Sequence, residues 1–519
     1  MQKLSYNIIQ PFLASAKKHP ERIALIEKED SITYGRLEKE VKQMAAYYRS
    51  EGIQAGDRVM VFVPMSIDLY RSVLALFYIG ATAVFLDEWV DKKRLEYCTD
   101  LAHCKAFIGS WKLKALALIS KPLYNIPLWL ELGAFKYYKA DQEMQSVQED
   151  HTALLTFTTG STGKAKAAQR SHAFLYEQFL ALNDKIVPQA TDVAMPVLPI
   201  VLLCNLGVGA CSIIAEYPSR KPTSFKPGKT VKTLIDQKVN RITSSPYFIK
   251  CLATFCLDNN ISIPNLTNIF TGGAPVFPDE AALYLKAFPD ADIQIVYGST
   301  EAEPISSISA AELCQKPQLA KGLKVGNIYH KTELKIVPVV DEALSFNNEE
   351  ELENFQLKSG EVGEIIVAGD HVLKTYYKAP QAWKQNKIST GEKLWHRTGD
   401  SGFIDQNGDL YLCGRTKQLI PLHQSNYLSP FIFEGMLQEM KEVNIGTIIN
   451  HEDQLLIIAE VIESTAKDSL LTKIRELMTH LIPNGYQGTL PQIKLVDLIP
   501  RDPRHHSKID YNRMKQMYC

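Results

Sequence analysis

RVMVFVPMSIDLYRSVLALFYIGATAVFL, residues 58–86, carries the decisive pattern. RVMVFVP at 58–64 and ATAVFL at 81–86 are β-branched and aliphatic runs, and between them IDLYRSVLALFY at 67–78 repeats its apolar residues at helical spacing. Strand, crossover helix and strand in that order predict a parallel pair, because parallel neighbours need a long return connection. Similar runs follow in TALLTFT at 152–158, NIF at 268–270 and IQIVYG at 293–298, so an α/β body is expected. A chain of 519 residues exceeds an ordinary domain and predicts at least two. After about residue 320 the texture changes to short strands with turns, as in GEVGEIIVAGD, SGFIDQNGDLYLCGR and the pair Asn407-Gly408. That favours a smaller antiparallel sheet or barrel on the α/β body. A second boundary is expected after Arg415, dividing residues 1–415 from a compact C-terminal piece of helices and short strands at 416–519.

Composition narrows the function. Hydrophobic residues at 45% and charged residues at 22% are the balance of a folded globular protein. Lys+Arg at 57 against Asp+Glu at 58 leaves no overall field to draw nucleic acid or an anionic membrane. Nine cysteines with no CxxC pair are expected to be reduced thiols of a cytosolic protein, neither a zinc site nor a disulfide frame. The start, MQKLSYNIIQPFLASAKKHPER, has no sustained apolar stretch of the export type. Val193 to Ala215 is uncharged over 23 residues and long enough to span a bilayer, but Pro196, Pro199, Asn205 and two glycines interrupt it. A buried strand, loop and helix are expected there. The acidic stretch from Asp341 to Phe355 is expected to be a solvated surface insertion.

The chemistry concentrates in TFTTGSTGKAKAAQRSH, Thr156 to His172. A strand ending in hydroxyls and glycines, with two lysines, can turn backbone N–H groups, hydroxyls and cations toward phosphate oxygens. The spacing is not that of a Walker A loop: Gly160 and Gly163 are separated by two residues, and Ala165 follows Lys164. This counts against a P-loop kinase or NTPase. Further segments follow in order: TGGAP at 271–275, YGSTEAEP at 297–304, HRTGDSGFIDQNGDLYLCGR at 396–415 and IPRDPRHHSKIDYNRMK at 499–515. With ITYGRLEKEV at 32–41 they run through nearly the whole chain.

This ordered set closely resembles the adenylate-forming superfamily of acyl-CoA synthetases, nonribosomal adenylation domains and luciferases. The resemblance implies a large N-terminal region of two layered α/β subdomains plus a small β-barrel, and a small, mobile α+β C-terminal domain. It implies an ATP- and Mg²⁺-dependent enzyme that turns a carboxylic acid into its acyl-adenylate and then passes the acyl group to CoA or a carrier-protein thiol. Position by position, Thr158, Thr159, Gly160, Ser161, Thr162, Gly163 and Lys166 would hold the β- and γ-phosphates. Gly273, Ala274 and Pro275 would line the adenine, Tyr297 would stack on it, and Gly298 would keep the approach open. Thr300 would bond the α-phosphate and Glu301 would bind Mg²⁺. Asp400 would accept from the ribose hydroxyls with Arg415 beside it, and Lys508 would bridge the acid and the α-phosphate. Taken singly, Tyr297 reads as core and Glu301, Asp400 and Lys508 as surface; the joint pattern points to chemistry. His172 could line the pocket or cap the following helix.

Two segments depart from the superfamily. Where most members carry an acid, a lysine and a wall glycine after Gly-Arg, this chain has GRTKQLIPLHQSN, with Gln418 at the hinge acid and Pro421 at the lysine. RDPRHHSKI and the region at 86–116 are similar to the β-lactone synthetases of long-chain olefin biosynthesis, which adenylate a 3-hydroxy acid and close a ring without CoA. MPVLPIVLLCNLGVG at 195–209 is wholly aliphatic where many relatives place an aromatic-histidine pair against the acyl group, which favours an aliphatic acid.

Overall fold

The computed structural model describes residues 6–86, 92–109, 120–159, 165–218, 221–315, 322–421, 427–452, 454–462, 467–481, 491–502 and 508–519. Arg58–Phe62 and Thr82–Phe85 are parallel partners, Val59 opposite Ala83, joined by the helix Ile67–Tyr78. Ser66 starts that helix, its hydroxyl accepting from the Leu69 N–H at 3.2 Å. Every residue of the helix except Asp68 is buried, as expected of a crossover covering a sheet. These strands lie in a seven-stranded sheet that also holds Thr152–Thr159, Ala165–Ser171 and, at one edge, Thr375–Tyr376.

A second sheet has fourteen strands, thirteen on one path and Lys387–Ser389 paired off it to Leu394–Ile404. Its parallel part includes Val193–Pro196, Arg241–Ser244, Asn268–Gly272 and Asp292–Ser299. From Asp292–Ser299 onward the pairing is antiparallel, through Ala302–Ser309, Leu323–Ile328, Leu410–Arg415, Leu394–Ile404, Gly363–Ala368 and Glu333–Val337. The change of texture after residue 320 is thus a change of pairing within one hydrogen-bonded path. The path also rolls. Asp292–Ser299 and Leu394–Ile404 are four strands apart in order, and four spacings of about 4.8 Å would separate them by roughly 19 Å if flat. Tyr297 and Asp400, one on each, are nevertheless hydrogen-bonded at 2.8 Å.

The uncharged stretch is strand Val193–Pro196, helix Pro199–Val208 and strand Cys211–Ile213, with Pro199 at the helix start and Gly209 capping it at φ 87°. Among the described residues no helix is long and apolar enough to cross a membrane. In the acidic stretch, Glu349–Phe355 forms a helix capped by Asn348, with three glutamates in its first turn. Leu352 is buried against Trp395, so this insertion is anchored and not wholly solvated.

Beyond Arg415, a three-stranded sheet of Val443–His451, Gln454–Val461 and Gln492–Val496 is covered by helices Pro430–Gln438 and Lys467–Leu481. It has its own core around Phe433, Ile448, Ile457 and Ile474. Glu434 is buried there, accepting from the Thr447 hydroxyl at 2.9 Å and from the Tyr511 hydroxyl, and burial pushes its carboxyl up to about 7.

Candidate active site

A cleft of about 1880 Å³ opens where the strands of the large sheet end and the C-terminal piece faces them. Gly273, Ala274, Pro275, Tyr297, Gly298, Thr300, Glu301, Asp400, Arg415, Lys166 and Lys508 all line it. The chain folds to this arrangement for local reasons. Asn268–Gly272 ends beside Val296, and a Cβ on Gly272 would come within 2.4 Å of the Val296 carbonyl oxygen, so only glycine fits. Gly273 then turns at φ 86°, directing the Ala274-Pro275 backbone into the cleft.

At one corner Asp400 is bracketed. Its Oδ2 accepts from the Tyr297 hydroxyl at 2.8 Å and its Oδ1 faces Arg415 Nη1 at 3.1 Å. Asp400 and Arg415 are direct cross-strand partners, which sets the ion pair by register. Arg415 also donates to the Thr398 carbonyl at 3.1 Å, and the Asp400 N–H to the Thr398 hydroxyl at 3.0 Å. The Asp400 carboxylate raises the Arg415 guanidinium above its ordinary value, while burial, then Asp400, holds the Tyr297 phenol well above its own. Tyr297 therefore has a polar task besides the stacking role expected of its ring.

The second corner centres on Glu301. Its Oε1 accepts from the Tyr376 hydroxyl at 3.3 Å, and its backbone oxygen from the Leu373 N–H at 2.7 Å. Lys166, buried in strand Ala165–Ser171 opposite Thr158, has its ammonium 5.9 Å from the Tyr376 ring centre. Burial lowers its pKa, against the pull of Glu301. The Thr300 carbonyl accepts from Arg170 Nη2 at 3.2 Å. Thr158 and Thr159 end the strand leading into the glycine-rich turn, while Gly160, Ser161, Thr162 and Gly163 lie outside the described residues. Among the described residues no three His, Cys, Asp or Glu converge as a metal cluster. One carboxylate at a phosphate site suits Mg²⁺, which takes most of its ligands from phosphates and water.

Lys508 is exposed on the cleft wall, its N–H donating to Asp502 Oδ1 at 2.8 Å and its carbonyl accepting from the Asp502 N–H at 2.8 Å. Arg501, the bridge partner of Ile509, is tied to Glu460 at 3.0 Å, so Ile509 next to Lys508 is anchored to the C-terminal sheet. Pro421 lies in a short strand paired with Tyr427–Leu428, and Gln418 ends the turn before it.

His172 takes neither expected place. Ser171 caps the helix His172–Ile186, accepting from the Phe174 N–H at 3.1 Å. His172 is buried with Nδ1 accepting from the Ile8 N–H at 3.2 Å, and burial drives its pKa down to about 3. Arg170, Tyr376 and Lys387 bear on the Glu301 corner and were not singled out from sequence. Arg170 lay within the glycine-rich motif and was the one open to discovery. Lys387 is buried at 2% exposure with a pKa lowered by burial to about 7.

Rolled mixed sheets with such a cleft at their strand ends define the class of adenylate-forming enzymes. Residues 12–377 match the model of the AMP-binding enzyme family. The chain belongs to that family and is an AMP-forming, ATP-using ligase. It is 25% identical to an olefin β-lactone synthetase of Stenotrophomonas maltophilia over 93% of this chain and 90% of that one. It is 23% identical to 4-coumarate:CoA ligase 1 of Petunia hybrida, over 91% and 86%. In fold it is similar to an amide bond synthetase from Marinactinospora thermotolerans, TM-score 0.83 at 18% identity, covering 99% of this chain and 100% of that one. It also matches an O-succinylbenzoate CoA synthetase from Bacillus subtilis in complex with ATP and magnesium, TM-score 0.78 at 20% identity, covering 97% and 99%.

Proposed function

We propose that this enzyme, working in the cytosol, joins an aliphatic carboxylic acid to ATP, releasing pyrophosphate and leaving the acyl-adenylate bound. The observation that carries this reading is one cleft with Asp400 bracketed by Tyr297 and Arg415 at one corner, Glu301 beside Lys166 at another, and Lys508 on the wall. Asp400 takes the ribose hydroxyls, and the Tyr297 ring with Gly273, Ala274 and Pro275 takes the adenine. Thr300 bonds the α-phosphate, while Lys166 and the segment Thr158–Gly163 take the β- and γ-phosphates. Glu301 would hold a magnesium ion, which would supply positive charge to the phosphate tail.

An oxygen of the acid attacks the α-phosphorus and the bond to pyrophosphate breaks. Two anions must meet, so alignment and charge neutralisation dominate the barrier. Lys508, a compact point charge on a flexible stem, bridges the attacking carboxylate and the α-phosphate. Leu198, Pro199, Ile200 and Leu203 line the cleft from the aliphatic stretch, which favours an aliphatic acyl chain.

The acyl group then passes to a thiol of CoA or a carrier protein. A second reading has specific support: Gln418 and Pro421 replace the superfamily acid and lysine beside the acceptor path, and the first curated relatives are named β-lactone synthetases. In that reading the hydroxyl of a 3-hydroxy acid attacks the acyl carbon, and AMP leaves with ring closure. Mass spectrometry of products from fatty, 3-hydroxy-fatty and aryl acids with ATP, with and without CoA, tests both. AMP and pyrophosphate from an aliphatic acid are expected; ADP and phosphate, or no turnover of any acid, overturns the proposal. Lys508→Ala should slow pyrophosphate release by roughly 10²- to 10³-fold at unchanged melting temperature. Full activity in that variant removes the lysine from the mechanism.

A further inference from the structure

Lys387 stands behind the cleft wall, absent from its lining although its neighbours Asn386 and His396 belong to it. It opens the strand Lys387–Ser389, directly opposite His396, and is 2% exposed. An ammonium so deep is costly unless its donors and charge are engaged. Its Nζ donates to the Leu373 carbonyl oxygen and lies 5.8 Å from the centre of the Tyr376 ring. Leu373 and Tyr376 are the two residues that grip Glu301, through the Leu373 N–H at 2.7 Å and the Tyr376 hydroxyl at 3.3 Å. The segment between them is stitched on both sides. Val372 bridges Ala302, while Thr375 and Tyr376 pair with Gln169 and Ala168 of the strand that carries Lys166.

We propose that Lys387 is a positioning residue for Glu301: its buried amino group fixes Leu373 and the Tyr376 ring, and these hold the backbone and the carboxylate of the magnesium-binding glutamate. The inference rests on the reading of Glu301 given above. Leu373 is held at both ends, its carbonyl by Lys387 and its N–H by Glu301, so loss of the amino group frees the link on which the Glu301 backbone hangs. Lys166 lies 5.9 Å from the same ring centre, so the Tyr376 ring also sets the Glu301 carboxylate relative to the cation assigned to the phosphates. Lys387 touches no reacting atom; it acts through these two residues and through its charge on Glu301.

The test is nucleotide binding, which needs no turnover. Magnesium is titrated into the full-length protein with ATP by isothermal calorimetry, for wild type, Lys387→Met and Tyr376→Phe, with melting temperatures measured without nucleotide. The wild type should show magnesium-dependent ATP binding; its absence overturns the reading of Glu301 and the inference with it. Given that dependence, Lys387→Met should raise the magnesium concentration at half-saturation about tenfold, the scale of losses from residues that orient metal ligands. Tyr376→Phe should shift it in the same direction, and the double variant should fall short of the product of the two shifts. A Lys387→Met protein that melts earlier but keeps the wild-type magnesium dependence shows a merely structural lysine and overturns the proposal. Should Lys387→Met fail to fold, Tyr376→Phe decides alone: an unmoved magnesium dependence overturns the grip on Glu301.

Discussion

Asp400 and Glu434 make an instructive pair. Each is a carboxylate that accepts from a tyrosine hydroxyl, and both border the cleft, Asp400 from the large sheet and Glu434 from the C-terminal piece. Asp400 also faces a guanidinium, set opposite it by strand register. Glu434 has Thr447 instead, and burial raises its carboxyl to about 7 although both hydroxyls pull it down. Asp400 is a carboxylate paired with a cation, whereas Glu434 is a buried carboxyl with neutral donors only. The charge partner separates the two, since hydroxyls stabilise an anion far less than a guanidinium does.

Substitutions can break that contrast. The largest expected effect belongs to Glu434. Ordinary glutamate titrates at 4.5, so between there and about 7 the folded form keeps a proton that the unfolded chain gives up. Folding stability should fall as pH rises through that window, by up to about 3 kcal/mol. Glu434→Gln cannot ionise and should flatten the fall, read as denaturation midpoints from pH 4.5 to 8; an unchanged slope would show that Glu434 titrates normally. Next, Asp400→Asn should weaken ATP binding by about 2 kcal/mol, roughly thirtyfold, through loss of the anion beside Arg415. Tyr511→Phe should destabilise the C-terminal piece by about 1–2 kcal/mol, read as its denaturation midpoint. The smallest effect is expected of Tyr297→Phe, which keeps the ring and removes one donor to Asp400: about 1 kcal/mol, or fivefold, in ATP affinity by calorimetry.

Much of this was legible in the residues. The run at 58–86 dictated a parallel pair because aliphatic strands flank an apolar-periodic helix, and both neighbours behave as that pattern demands. Asp400, Arg415 and Tyr297 were reachable because each sits in a short ordered motif, although their mutual bonding comes from the roll of the sheet, which no local pattern records. Lys387 was not legible. A lysine in QAWKQNKIST reads as solvent-facing, and only a nonlocal carbonyl and an aromatic ring make its burial tolerable. His172 misled for the same reason in reverse, since the glycine-rich motif drew it toward the nucleotide while the fold spent it against Ile8.

The roll that brings Tyr297 to Asp400 also sets a gauge. The gap between Tyr297 and Asp400, the residues proposed for adenine and ribose, is fixed by how many paired strands separate them and by the curl of those strands. Helix Pro199–Val208, which faces the acyl end, lies outside that ruler. A lineage could therefore retool the acid it accepts by altering that helix, while the nucleotide berth keeps its width unchanged.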